Sequence, residues 1–237
     1  MQNDKIDLKK VLIVGISSTI GEELVKLYNK KGYIVYGTYR NNSPDSSVLG
    51  FCKETIFLDL GKKSDIYKLQ DFATLLKPFH IVYLPGIIDH KTIYETNLEN
   101  LQLTFNVNVF SYLLLISKTA NYMKEKKYGR FLSVSSIGSK YGGSLSSFNY
   151  TLSKYLLEFF PAEYKNLAQN NVFFNNLICG VTNTKMIQSK KEIDQRVEKI
   201  PLKRMAEPIE IAKACFNLCS TKNTFQTLTN TTIAGGE

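Results

Sequence analysis

None of the four cysteines, Cys52, Cys179, Cys215 and Cys219, forms a Cys-x-x-Cys pair with another. Cys215 and Cys219 share a helix face, but no histidine lies near them to complete a metal site. The pattern excludes a disulfide framework and gives no reason to expect a metal. It fits four reduced, mostly buried thiols of a cytoplasmic protein. Long apolar runs are missing too. No stretch approaches the ~20 residues of a membrane span. The amino-terminal MQNDKIDLKK is polar, and the VLIV that follows is too short for a signal sequence. There is no internal repeat, low-complexity tract or linker. A dense basic block is also absent, although 30 Lys and Arg against 21 Asp and Glu leave a formal charge of +9. Scattered lysines describe a solvated surface, so neither nucleic acid nor membrane is expected as a partner. The pairs Lys30–Lys31 and Lys126–Lys127 fall where helices should end, where positive charge complements the dipole.

What is present is an ordinary globular composition, 43% hydrophobic and 22% charged, in 237 residues. That length suits one α/β domain spanning residues 1–237. Val11–Val14 reads as a short strand running into GISSTIG and then a helix from Gly21 to Lys31, with Ile20, Leu24, Leu27 and Tyr28 as its buried stripe. A second strand, Ile34–Thr38, completes a βαβ unit. Strand, glycine turn and helix aim backbone N–H groups and a positive helix end at a phosphate. Gly15 and Gly21 therefore mark a candidate dinucleotide site, with Ser17 and Ser18 able to donate hydroxyl hydrogen bonds there.

Further strands are expected at Thr55–Leu58, His80–Leu84 and Val172–Ile178. A helix is expected to be capped by Ser64 and closed by Pro78. His90 reads as a loose surface histidine. A long amphipathic helix is expected from Leu98 to Lys126, with Asn108 inside it. Asparagine is a poor helix former, so its place there needs a reason. The apolar excess along Phe105, Val109, Tyr112, Leu113 and Ile116 is more than one sheet contact uses, and a partner subunit would take up the surplus.

The most informative stretch is RFLSVSSIGSKYGGSLSSFNYTLSK, Arg130 to Lys154. It reads as a buried strand, a Gly/Ser-rich loop and the start of a helix. Helical spacing at Leu152, Leu156, Phe159 and Phe160 continues it, and Pro161 should kink it. Tyr150 and Lys154, four residues apart, project from one helix face beside the strand end that carries Ser136.

This Tyr-x-x-x-Lys set with its upstream serine resembles the short-chain dehydrogenase/reductase family. The likeness runs along the whole chain. Gly15 and Gly21 match two glycines of the family's TGxxxGxG, with Thr19 in place of the middle one. Gly86 alone remains of NNAG. Asn106-Val-Asn108-Val matches the NV segment, Gly180 and Thr184 match PGxxxT, and IPLKRMAEPIEIA and TLTNTTIAGG resemble the family's carboxy-terminal motifs. The resemblance implies a doubly wound (Rossmann) parallel sheet and carbonyl reduction by a Ser136, Tyr150, Lys154 and Asn108 set. In that set Asn108 distorts its helix and holds a proton-relaying water. The interval from Ser136 to Tyr150 is one residue longer than usual, leaving Ser135 and Ser139 as alternatives.

The cofactor would lie on Gly15, Ser17, Ser18, Ile20, Gly21, Arg40, Asp59, Leu60, Gly86, Tyr150, Lys154, Val181 and Thr184. Tyr39 stands where NAD-preferring relatives carry a carboxylate, and Arg40 follows, so NADP (NADPH) is expected over NAD. Residues 185–200 are expected to form a flap over a small-molecule or carrier-bound carbonyl substrate. The 3-oxoacyl-[acyl-carrier-protein] reductases are the most similar group. A ketone reductase of nucleotide sugars or polyketides and a silent nucleotide-binding partner or sensor are the alternatives. The family implies a homotetramer, with a dimer as the fallback if Pro161 weakens packing.

Overall fold

The computed structural model describes residues 8–40, 43–185 and 190–237. The strands are β1 (Lys10–Val14), β2 (Ile34–Tyr39), β3 (Cys52–Phe57), β4 (His80–Tyr83), β5 (Gly129–Ser136), β6 (Val172–Cys179) and β7 (Thr229–Ile233), apolar at the centre of the sheet and more polar in β3 and β7. They form one parallel sheet in the order β3-β2-β1-β4-β5-β6-β7. The order reverses beside β1, and a doubly wound sheet opens its crevice at such a switch point, at the carboxyl ends of the strands. Burial on both faces requires apolar residues of both parities. Leu12 and Val14 join one core, and Val11 and Ile13 join the other.

Helix α1 (Thr19–Lys30) packs on the second of these faces, and a short α2 (Ser46–Leu49) follows β2. Helix α3 (Lys63–Leu76) covers the first face. Its cap is Lys62, which gives no side-chain hydrogen bond, so Ser64 is not the cap expected. Ser64 instead donates to Asp65 within the first turn. Lys77, in the left-handed region at φ 48°, ends the helix just before Pro78.

The long helix is three pieces in one run: α4 (Leu98–Phe105), a π-helical segment (Asn106–Phe110) and α5 (Ser111–Glu125). A single helical turn, α6 (Gly138–Tyr141), absorbs the loop after β5, and α7 (Phe148–Leu156) carries the Tyr-x-x-x-Lys set. Pro161 does more than kink this helix. The chain leaves α7 after Leu156, and Pro161 becomes the cap of a separate α8 (Ala162–Ala168), because proline has no N–H for a continuing helix. The apolar positions on and just beyond α7 face outward. Leu152, Leu156 and Phe159 are exposed, and Asn149, Thr151, Ser153 and Lys154 are buried.

Helix α9 (Lys190–Val197) falls within the expected flap, of which residues 186–189 lie outside the described residues. Helix α10 (Pro208–Cys219) starts at its proline, with Glu207 and Glu210 forming a capping box. All four thiols are free, and three are buried. Among the described residues no helix is long and apolar enough to cross a membrane.

Candidate active site

The turn after β1 is built by its own side chains. Ser18 caps α1, its hydroxyl accepting from Gly21 N at 3.0 Å and donating to Gly15 O at 2.9 Å. That hydroxyl donates within the turn, where the sequence reading had it donate to a phosphate. Gly15 takes φ +94°, and a Cβ on Gly21 would lie 2.4 Å from Gly15 O. Both positions therefore need glycine.

This turn floors a cavity of about 750 Å3 at the switch point. Of the residues expected on a cofactor, Gly15, Ser17, Ser18, Arg40, Leu60 and Gly86 line it. Ile20 packs against the core instead, and Val181 lines a separate small recess of about 80 Å3. Gly21, Thr184, Tyr150 and Lys154 do not line the cavity, and neither does Asp59. Asp59 turns to Gly61 N at 3.2 Å and to Arg40 at 3.6 Å. Lys185, Asp45 and Ile87 line the cavity without having been singled out as binding residues. Lys185 is 3.8 Å from Glu22 in the first turn of α1. A loop lysine has no periodic pattern to betray such a partner.

The catalytic candidates gather behind one wall of this cavity. A Cβ on Gly86 would lie 3.0 Å from Lys154 Nζ and 3.7 Å from Tyr150 Cε2, so the absence of a side chain there keeps both groups close to the cavity. Lys154 donates to Pro85 O and Val134 O, both at 2.9 Å, and its Nζ lies 5.9 Å from the Tyr150 ring centre. Burial pulls its pKa down to about 8. Burial pushes the Tyr150 phenol up to about 12, against a smaller downward pull from its hydrogen bond with Ser136. An ammonium occupied by carbonyls does not outweigh desolvation here, whereas the sequence reading had Lys154 lowering the phenol.

Of the three serines, Ser136 meets Tyr150 and accepts from Gly138 N at 3.3 Å. Ser135 and Ser139 turn to Glu158.

Asn108 is fully buried in the π-helical segment. Its Oδ1 accepts from Ile87 N at 2.9 Å, and its Nδ2 donates to Ile87 O at 3.2 Å and Ser153 Oγ at 2.8 Å. Ser153 in turn donates to Tyr150 O at 2.7 Å. Both amide hydrogens are thus spent within the protein, so Asn108 joins the β4 loop to α7 and its side chain has no hydrogen left for the expected water. Tyr83, at the first position of the altered NNAG segment, is fully buried, and its hydroxyl reaches Val107 O and Ser111 Oγ. It ties β4 to the π-helical segment, a brace that the sequence reading missed.

Comparisons with known proteins bear on the family and the fold. The short chain dehydrogenase family matches residues 9–195, and the chain belongs to that family of oxidoreductases. Over a 243-residue alignment it is 26% identical to the 3-oxoacyl-[acyl-carrier-protein] reductase FabG of Buchnera aphidicola subsp. Schizaphis graminum, covering 98% of each chain. It is 28% identical over 217 residues to FabG of Aquifex aeolicus, covering 89% of this chain and 79% of that one. The fold matches that of a 3-oxoacyl (acyl-carrier-protein) reductase from Agrobacterium tumefaciens C58 solved with NADP bound, at TM-score 0.85 and 19% identity, over 97% of this chain and 94% of that one.

Proposed function

We propose that the chain is an NADPH-dependent reductase that converts the ketone of a 3-oxoacyl thioester to a secondary alcohol. One observation carries this reading: the Lys154 ammonium and the Tyr150 ring lie behind Gly86, which lines a cavity large enough for a dinucleotide, and Ser136 meets the Tyr150 hydroxyl. The glycine turn, the positive end of α1 and the wall of Leu60 and Pro85 fit a dinucleotide, with Ser17 and Gly15 beside its phosphates. When bound, the reduced nicotinamide supplies a hydride to the carbonyl carbon. Tyr150, protonated at neutral pH, donates its proton to the carbonyl oxygen. Ser136 donates a hydrogen bond to the same oxygen as negative charge gathers on it. Lys154 stabilises the phenolate left on Tyr150 and holds the nicotinamide ribose hydroxyls. Asn108 acts as a positioning residue, through Ile87 and Ser153.

Arg40 at the adenosine end, held near Asp59, favours the extra phosphate of NADPH. The FabG relatives, named as 3-oxoacyl-[acyl-carrier-protein] reductases, support the thioester, and the chain is placed in the cytoplasm as part of this proposal. The chain acts as a homotetramer through the outward apolar faces of the long helix and α7.

The test is NADPH oxidation with acetoacetyl-CoA, alongside small ketones and oxidised sugars. Turnover of the thioester is expected. Binding of nucleotide without oxidation across the panel would favour a silent nucleotide-binding protein instead. Arg40→Ala should weaken NADPH binding by on the order of tenfold to a hundredfold, the loss of a charge-assisted pair, and leave NADH binding nearly unchanged. Equal affinities for the two nucleotides in the parent would contradict the assignment.

A further inference from the structure

Glu158 lies two residues beyond α7, the helix that carries Tyr150 and Lys154. A carboxylate is poorly placed at a helix carboxyl end, where the dipole is negative. The surroundings of Glu158 supply compensation. Its Oε1 accepts from Ser135 Oγ at 3.0 Å and from Ser139 Oγ. Ser135 is the strand neighbour of Ser136, and Ser139 lies in the α6 turn just after it, with its Oγ 2.6 Å from Ser136 O. The main-chain carbonyl of Glu158 accepts from Asn230 Nδ2 at 3.0 Å, and Asn230 Oδ1 accepts from Asn176 Nδ2 at 3.0 Å. Asn176 also donates to Ser135 Oγ at 3.0 Å and accepts from Ser133 Oγ at 3.0 Å.

One residue therefore joins four elements: the end of the Tyr–Lys helix, the strand of Ser136, the turn after it, and β7. Two departures from the family pattern find a use here. Asn230, in place of a motif glycine, provides the link to β7. Pro161, which prevents α7 from continuing, ends the helix close enough for Glu158 to leave the helical path and face the serines.

We infer that Glu158 is a positioning residue for the proton-transfer site, fixing the Ser136 strand end and its following turn against the helix of Tyr150 and Lys154. The inference rests on the catalytic reading above. Glu158 touches neither substrate nor cofactor in this scheme, so its effect belongs to the placement of Ser136 relative to Tyr150. Small displacements of reacting groups cost turnover steeply.

The experiment compares the full chain with Glu158→Ala, Glu158→Gln, Ser139→Ala and Tyr150→Phe. It follows NADPH oxidation by acetoacetyl-CoA, NADPH binding by fluorescence and thermal unfolding. Glu158→Ala is expected to lower kcat by on the order of tenfold to a hundredfold, with the NADPH Kd and the KM changed by less than about threefold. Glu158→Gln retains an acceptor oxygen for both serines and should recover most of the parent kcat, which separates acceptor geometry from charge. If Glu158→Ala does not fold, Ser139→Ala takes its place, with a smaller loss of kcat expected at unchanged Kd. A parent-like kcat in whichever of these two variants is read overturns the inference, as does a Glu158→Gln as impaired as Glu158→Ala. A parent-like Tyr150→Phe would instead bring down the catalytic reading, and this inference with it.

Discussion

At the scale of the residue, Lys154 decides how the site responds to pH. Its ammonium rests on two main-chain carbonyls, and burial brings its pKa from 10.5 to about 8. An uncharged amine cannot stabilise a phenolate on Tyr150. The rate of carbonyl reduction should therefore hold steady through neutral pH and fall as pH rises past about 8, which a pH profile of kcat would register. A profile flat to pH 9.5 would contradict this. Stability should move the other way. Between about 8 and 10.5 the unfolded chain holds the Lys154 proton and the folded chain does not, so this lysine makes folding more favourable as pH rises through that window. That Tyr150, Lys154 and Ser136 lie near one another was legible in the sequence, because helical spacing and a strand end bring them together with little help from the rest of the chain. The sequence did not show the internal partners of Ser18 and Asn108, since a side chain's type does not reveal whether its hydrogen-bonding capacity is already used.

At the scale of the element, the π-helical segment is one of the most useful features, and it lies where the family resemblance has Asn108 distort its helix. In it Ser111 N bonds to Asn106 O, five residues back. Val107 O, the acceptor an α-helix would have given that N–H, takes bonds from the Tyr83 and Ser111 hydroxyls. Tyr83→Phe removes one of them from a fully buried place and should cost about 1–2 kcal/mol of stability, measured as a lower denaturant midpoint. An unchanged midpoint would show that the brace carries nothing. Apolar periodicity located the long helix but could not place the change of pitch, which depends on Tyr83 from a strand. Helix α7 follows a related rule. Its apolar residues have helical spacing, yet its inner face is polar because the site lies there. Spacing shows that a stripe exists and leaves open what it faces.

At the scale of the molecule, the parallel sheet follows from short two-sided apolar runs alternating with helices, which were legible along the chain, whereas the order of its strands came only with the structure. What lies on the outside was misread in part: of the apolar excess expected for a partner, Val109, Tyr112 and Ile116 are buried in the chain's own core, and Leu113 is exposed. Leu103, Phe110, Leu113 and Leu114 on the long helix, and Leu152, Leu156 and Phe159 on and beyond α7, are all exposed, Phe159 by 70%. Apolar surface on this scale favours association, and light scattering at micromolar concentration should give the mass of four chains; the mass of a single chain would end the proposal. The central claim, that this surface and core support carbonyl reduction through Tyr150, is tested most directly by one substitution. Tyr150→Phe should keep its fold and its affinity for NADPH while turnover of acetoacetyl-CoA drops by at least ~10²-fold, the usual loss when general acid catalysis is removed. Retention of most of the parent rate by a folded, NADPH-binding Tyr150→Phe would contradict the account.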